Sequence, residues 1–442
     1  MSVPEPLRPS VTPVESRPVE RFAARTAGMT ASEIRALFAV ASRPEVVSLA
    51  GGMPNLSALP LDVVGRSLAQ LVAERGTVAL QYGSGQGDPA LRQRILDVMA
   101  PNRVQAHPDD IVVTTGSQQA LDLVTRIFID PGDVVLAESP SYVGALGVFR
   151  AYQADVVHVP MDAGGLQPQA LEETLTELRR AGRRVKFLYM VPNHQNPAGV
   201  SLAADRRAEV VRLAERFGVL ILEDDPYGLL GFDGDPIPAL HSHNPEGVIY
   251  LGSFSKTFAP GFRVGWAVAP HAVREKLVLA SEASILCPSS FSQLAICRYL
   301  DTHDWKHQVG VFRDLYRERR DAMLDALDDM LPQASWNVPD GGFYVWVRLP
   351  NGLDAKAMLP RAVTQRVAYV PGTAFYADHQ GRDHLRLSYC YPTPERIREG
   401  IRRLAGVLDA ELEVQSIFGS RTDTSPDRSH AGRVYAPGPD LT

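Results

Sequence analysis

Through the middle of the chain, short apolar runs alternate with longer amphipathic stretches. The runs are IVVTTG, VVLAE, VVHVP, VKFLYMVP, VLILEDD, VIYLGS and RVGWAVAP. Their length and β-branched content predict buried strands. Between them lie segments such as QQALDLVTRIF and AADRRAEVVRLAERFG, where apolar residues recur at helical spacing and Gly218 marks a C-terminal stop. Strand, helix and strand in repetition mean a mostly parallel sheet with helices on both faces. Only a short loop joins the last two runs, which suits an antiparallel member there. The expectation is an α/β fold whose sheet has seven strands, over residues 111–270.

From about His303 the texture changes. HDWKHQVGVFRDLYRERRDAMLDALDDML reads as one long helix, with Pro332 just beyond it. Short strands follow in GGFYVWVRL, VAYVPG and HLRLSY, then a helix in PERIREGIRRLAGVLDAEL. This α+β texture predicts a smaller domain at residues 303–415, beside a large domain at 65–302. Residues 21–64, with a helical stretch at 31–40, are expected to contribute to the small domain and the active site. Residues 1–20 are proline-rich, lack a signal peptide's apolar core and read as a disordered lead. Residues 416–442 read as a disordered tail.

Composition narrows the function classes. The 442 residues are 45% hydrophobic and 22% charged, which suits a core-forming chain. A net charge of −6 gives no reason to expect nucleic acid or an anionic membrane as partner. No apolar run is long enough for a membrane span. Cys287, Cys297 and Cys390 are odd in number and lack CxxC spacing. They point away from a disulfide framework or a zinc site and toward a reducing, cytoplasmic setting.

Ligands of such sheets bind outside the carboxyl ends of the strands. After IVVTT come Gly116, Ser117 and Gln118, opening a helix. Such a turn presents N–H groups to an anion, or is simply a glycine turn with a capping serine. Tyr142, after VVLAE, serves as a stacking plate or as core. Asn196 lies in the NHQNPAG loop after VKFLYMVP. Asp224 ends VLILED, three residues before Tyr227, and suits an N-cap or a cationic ring nitrogen. After VIYLG, Lys256 sits among Ser253 and Ser255, with Arg263 seven residues on. The serines and the guanidinium suit a phosphate. A nearby cation and a closed site lower a lysine's pKa, and a neutral amine is what carbonyl condensation needs. Together the strand ends specify a planar ring with a phosphate, a protonatable nitrogen, a phenolic oxygen and an aldehyde. That ligand is pyridoxal 5′-phosphate, PLP.

The set of motifs SLAGGMPN, LQYGSGQGDPALR, TTGSQQALDL, NHQNPAG, EDDPYGLL, GSFSKTFAPGFRVGW, PDGGFYVW and HLRLSY resembles the class I/II, fold-type-I PLP aminotransferases. Within them it looks like the 2-aminoadipate and kynurenine aminotransferase group, over residues 31–412. The resemblance implies that Lys256 forms the internal aldimine and moves the α-proton. Tyr142 would stack on the ring and Asp224 would pair with its nitrogen. Asn196 and Tyr227 would bond its phenolic oxygen. Ser117, Gln118, Ser253, Ser255 and Arg263 would cradle the phosphate. Tyr82 would reach the phosphate of a neighbouring subunit, which implies a homodimer. Arg386 would clamp the substrate carboxylate, helped by Asn196 and the backbone of Gly52. Arg35 matches an arginine near the substrate side chain in relatives, and would otherwise be a solvated helix residue. Tyr344 stands where relatives commonly carry phenylalanine, and Met53 departs from a usual leucine. Ping-pong transamination between an amino acid and a 2-oxo acid follows. A β-lyase or cyclase on the same fold, or a PLP-sensing regulator, shares the cofactor residues.

Overall fold

The computed structural model describes residues 22–29 and 43–418. Arg35, the helical stretch at 31–40 and nearly all of the two expected tails lie outside the described residues. Strand β1 (Val47–Ser48) comes before the large sheet, which is built from β2 (Ile111–Thr114), β3 (Val134–Ser139), β4 (Asp155–Asp162), β5 (Gly165–Leu166), β6 (Val185–Met190), β7 (Leu220–Asp224), β8 (Val248–Ser253) and β9 (Gly265–Val268). Their spatial order is β2-β9-β8-β7-β6-β3-β4-β5. Each of the seven runs read as strands of this sheet is one. The count of seven is corrected to eight, because two-residue β5 folds back antiparallel on the end of β4 through Asp162–Gly165. A strand of two residues leaves no periodic trace in a sequence. The pairs β3–β4, β3–β6, β6–β7 and β7–β8 are parallel, and β9 runs antiparallel to both β8 and β2.

Successive side chains on a strand point to opposite faces, and the core shows it. Val135, Ala137, Phe187, Tyr189, Leu222 and Ile249 join one buried cluster. Their neighbours Val134, Leu136, Leu188, Met190, Ile221 and Val248 join another. The helices Pro168–Arg180 and Ala204–Phe217 close the second cluster with Leu171, Leu175, Val210 and Leu213. Gly218 ends the latter helix in the left-handed region, φ 68°, where glycine is at ease.

Later strands are β10 (Ser335–Trp336), β11 (Tyr344–Arg348), β12 (Val367–Ala368), β13 (Val370–Pro371) and β14 (His384–Ser388). All but β12 form a four-stranded antiparallel sheet, β10-β11-β14-β13, against which the helices Trp305–Met330 and Pro394–Phe418 pack. The run VAYVPG, read as one strand, is two. Val367–Ala368 pairs in parallel with β1, whereas Val370–Pro371 pairs with β14. The last helix runs to Phe418, past the expected start of the tail at 416. One apolar cluster is continuous from the large sheet to the small one, so the two sheets share a core.

Candidate active site

Because β9 is antiparallel to both neighbours, its amino end lies on the same sheet edge as the carboxyl ends of β2 and β8. That edge gathers Gly116, Ser253 and Gly265. A cavity of about 240 Å³ opens there, lined by Gly52, Ser117, Tyr142, Asn196, Asp224, Tyr227, Lys256, Tyr344 and Arg386, with Met53, Val191 and Pro226. Every one of the first nine was expected from sequence. Tyr82 does not line it. That side chain is 77% exposed. Gln118, Ser253, Ser255 and Arg263 do not line it: Gln118 is hydrogen-bonded to Tyr142 of the lining, Ser255 adjoins Lys256 in the chain, and Arg263 lies against Gly116.

The Ser117–Phe128 helix begins after Gly116, which has φ 77°. A Cβ at Gly116 would come within 2.5 Å of the Arg263 guanidinium. A Cβ at Gly265 would come within 2.6 Å of the Ser117 backbone nitrogen. Two bare backbones thus let a cation and a helix N-terminus converge, a cradle for an anion. The side chain of Arg263, itself left-handed at φ 54°, donates among the described residues only to the carbonyls of Pro260 and Thr115, at 3.4 and 3.3 Å. The Ser253 hydroxyl donates to Ser255 Oγ at 2.9 Å and accepts from the Ser255 N–H at 3.1 Å. The Tyr142 hydroxyl donates to Gln118 Oε1 at 3.3 Å, and Gln118 Nε2 to the Gly144 carbonyl at 3.2 Å.

Asp224 is buried at the end of β7. Its Oδ2 accepts from the Tyr189 hydroxyl at 3.0 Å, while its Oδ1 has no hydrogen-bond partner among the described residues. Burial pushes its carboxyl up to about 7, against the Tyr189 hydrogen bond and with help from the Asp225 charge. A buried acceptor of this kind calls for a donor. Asp225 is held away from the cavity by Asn102, Asn193 and Tyr250, at 2.6, 2.9 and 3.0 Å. Sequence reading missed this support, and it missed Tyr189, which looks like any aromatic of a buried strand.

Lys256 Nζ donates to the Gly52 carbonyl at 2.8 Å and lies 5.4 Å from the Phe343 ring centroid. Burial lowers its pKa to about 8; the Arg386 and Arg263 charges add to the shift, and Cys390 and Asp224 oppose it. Arg386 is 1% exposed. Its guanidinium donates to Asn196 Oδ1 at 2.8 Å and to the Ala50 carbonyl at 2.6 Å, and its Nε has no partner. The Tyr344 and Phe375 rings flank it, with centroids at 4.2 and 5.1 Å. Neither cation has a carboxylate within ion-pair distance among the described residues. The Gly52 carbonyl is turned to Lys256, and it is the Ala50 carbonyl that meets Arg386.

Residues 44–404 match the family described as aminotransferase class I and II. The chain belongs to that family. The aminotransferase is 41% identical over 396 residues to aromatic-amino-acid aminotransferase 1 of Thermococcus litoralis, covering 89% of this chain and 95% of that one. It is 37% identical to a 2-aminoadipate transaminase of Thermus thermophilus, covering 89% of this chain and 98% of that one. A Pyrococcus horikoshii kynurenine aminotransferase, solved with PMP, superposes with a TM-score of 0.85 at 41% identity, over 89% of this chain and 98% of the other. The aminotransferase is therefore a PLP-dependent enzyme of fold type I. Its residues fit the cofactor: the unpartnered Asp224 oxygen suits a ring N–H, and the Gly116 cradle suits a phosphate.

Proposed function

We propose that this enzyme moves the amino group of aromatic and 2-aminoadipate-like L-amino acids to a 2-oxo acid such as 2-oxoglutarate. One observation carries the reading of the site. Two cations without carboxylate partners among the described residues, half-buried Lys256 and buried Arg386, and one unpartnered carboxylate oxygen, on Asp224, face a single cavity. An amino acid on PLP would answer all three. The names of the relatives support the substrate class.

Bound PLP supplies the aldehyde that takes up the amino group and a ring that spreads the charge left on the α-carbon. Ser117, Gln118, Ser253, Ser255 and Arg263 would hold its phosphate. Tyr142 would cover the ring face, and Asp224 would keep the ring nitrogen protonated. Asn196 and Tyr227 would hydrogen-bond the phenolic oxygen. Arg386 fixes the substrate carboxylate as a two-pronged donor, which orients the α-hydrogen toward Lys256. Lys256, lowered to about 8, is readily neutral and takes that proton as a general base. The same Nζ would give the proton up to the cofactor's former aldehyde carbon, on the other side of the nitrogen. Arg35 would meet a distal carboxylate.

A homodimer fits the surface. Tyr82 is exposed, as are Leu61, Val72 and Val78 along the helix Leu61–Ala79 and Leu80 after it, and Leu279, Ile285 and Leu286 are exposed on a second helix and at its end. A second copy would cover such apolar positions and bring Tyr82 to a phosphate. The chain divides into a large PLP-binding part at residues 65–302 and a small part at 303–415. No helix among the described residues is long and apolar enough to cross a membrane, which fits a cytoplasmic enzyme. The test is Lys256→Ala. Turnover should fall by roughly a thousandfold or more while PLP still binds noncovalently. Wild-type turnover in that variant would end the assignment.

A further inference from the structure

Tyr344 is 2% exposed and tightly held. The Arg386 guanidinium lies 4.2 Å from its ring centroid, and the Tyr227 ring meets it edge-on at 6.1 Å and 87°. Its hydroxyl presses on Gly52 so closely that a Cβ there would stand 2.1 Å away. The hydroxyl therefore has to find its partners where it is. It faces the Tyr227 hydroxyl, oxygen to oxygen at 3.4 Å, with Tyr227 donating.

We propose that Tyr344 is a positioning residue for Tyr227, the second hydroxyl of a two-hydroxyl relay aimed at the phenolic oxygen of the cofactor. This rests on the reading of Tyr227 given above. Each hydroxyl has one proton to give and can accept two. Either proton can occupy the shared contact, because both hydroxyls rotate. When Tyr227 gives its proton to an oxyanion in the cavity, the Tyr344 proton takes the contact and polarises Tyr227 toward the anion. A contact of 3.4 Å is long, and such bonds tighten when a charged acceptor orders the donor. The Arg386 charge beside the ring makes Tyr344 a better donor, opposing the effect of burial. Phenylalanine at 344 would leave the Tyr227 oxygen with no donor behind it.

The test uses PLP-loaded protein as wild type, Tyr344→Phe, Tyr227→Phe and the double variant. The visible band of the lysine-bound cofactor is titrated with pH. Its proton-free form carries the bare phenolic oxyanion, which the relay stabilises. Removing the relay should therefore raise the midpoint. Tyr344→Phe is expected to raise it by about 0.5 pH unit, Tyr227→Phe by more, and the double variant no further than Tyr227→Phe alone. A shift with Tyr227→Phe but none with Tyr344→Phe overturns the relay and leaves the cofactor reading intact. Shifts that simply add would mean that Tyr344 acts apart from Tyr227, which also overturns the relay. No shift in either single variant overturns the placing of Tyr227 on the phenolic oxygen as well.

Discussion

Arg386 shows how a single residue is prepared for its ligand. A guanidinium taken out of water without a counter-ion is costly. Here two acceptors and two aromatic faces offset part of that cost. On the proposed reading, a substrate carboxylate would offset the rest. Arg386→Ala should lower kcat/KM for every amino acid substrate by roughly 30-fold to several thousandfold. A loss confined to one substrate class would contradict a role on the carboxylate common to all. At this scale the sequence was legible where residue type itself carries chemistry: Lys256, Asp224 and Arg386 stand at strand ends or in a distinctive motif. Tyr189 was not legible, because the apolar strand VKFLYM needs an aromatic for its core whether or not the hydroxyl meets Asp224. The Asn102 contact to Asp225 spans 123 residues, and no local pattern announces it.

At the scale of elements, the anion cradle depends on what β9 and the Ser117–Phe128 helix lack. Gly265 has no positive φ to explain it; its Cβ would strike the first turn of the helix. Gly265→Ala should leave the sheet paired but move the helix N-terminus, weakening PLP binding by about tenfold or more, which is about 1.4 kcal/mol. Fluorescence titration of cofactor-free protein measures this, and unchanged affinity would mean that the close approach is immaterial to the cradle. The strands of the large sheet, from four-residue β2 and β9 to eight-residue β4, followed from their apolar runs. The division of VAYVPG between two pairings did not, since β12 finds its partner in β1, about 320 residues earlier, and sequence-local reading has no access to it.

Across the whole molecule, the buried carboxyls link stability to pH. Burial pushes Glu138 up to about 8, against hydrogen bonds from the Val191 N–H and Gln195. Glu223 and Asp224 are pushed up to about 7, chiefly by burial. The folded chain keeps three protons that the unfolded chain releases above the ordinary carboxylate range. Their contribution is full below that range and is lost as pH rises toward 8. Lys256, lowered from 10.5 to about 8, acts oppositely: its contribution is full above 10.5 and is lost as pH falls through 8. The Tm of cofactor-free protein should therefore fall between pH 5 and 8, and Glu138→Gln should flatten the fall. A Tm that is level across this window in wild type would contradict the linkage. Fold class came from sequence because βα alternation is a whole-chain signal, whereas these protonation states depend on burial that only the folded structure defines.

The contact between Gly52 and Tyr344 also bears on how such a site can evolve. With tyrosine at 344, alanine at 52 meets an oxygen at 2.1 Å; with the hydroxyl gone, the nearest ring atom is 3.3 Å away. The two positions are thus epistatic, and history at one decides what is viable at the other. A lineage holding Tyr344 is confined to glycine at 52 until the hydroxyl at 344 is lost, so the path to a side chain there runs through a change at 344 first.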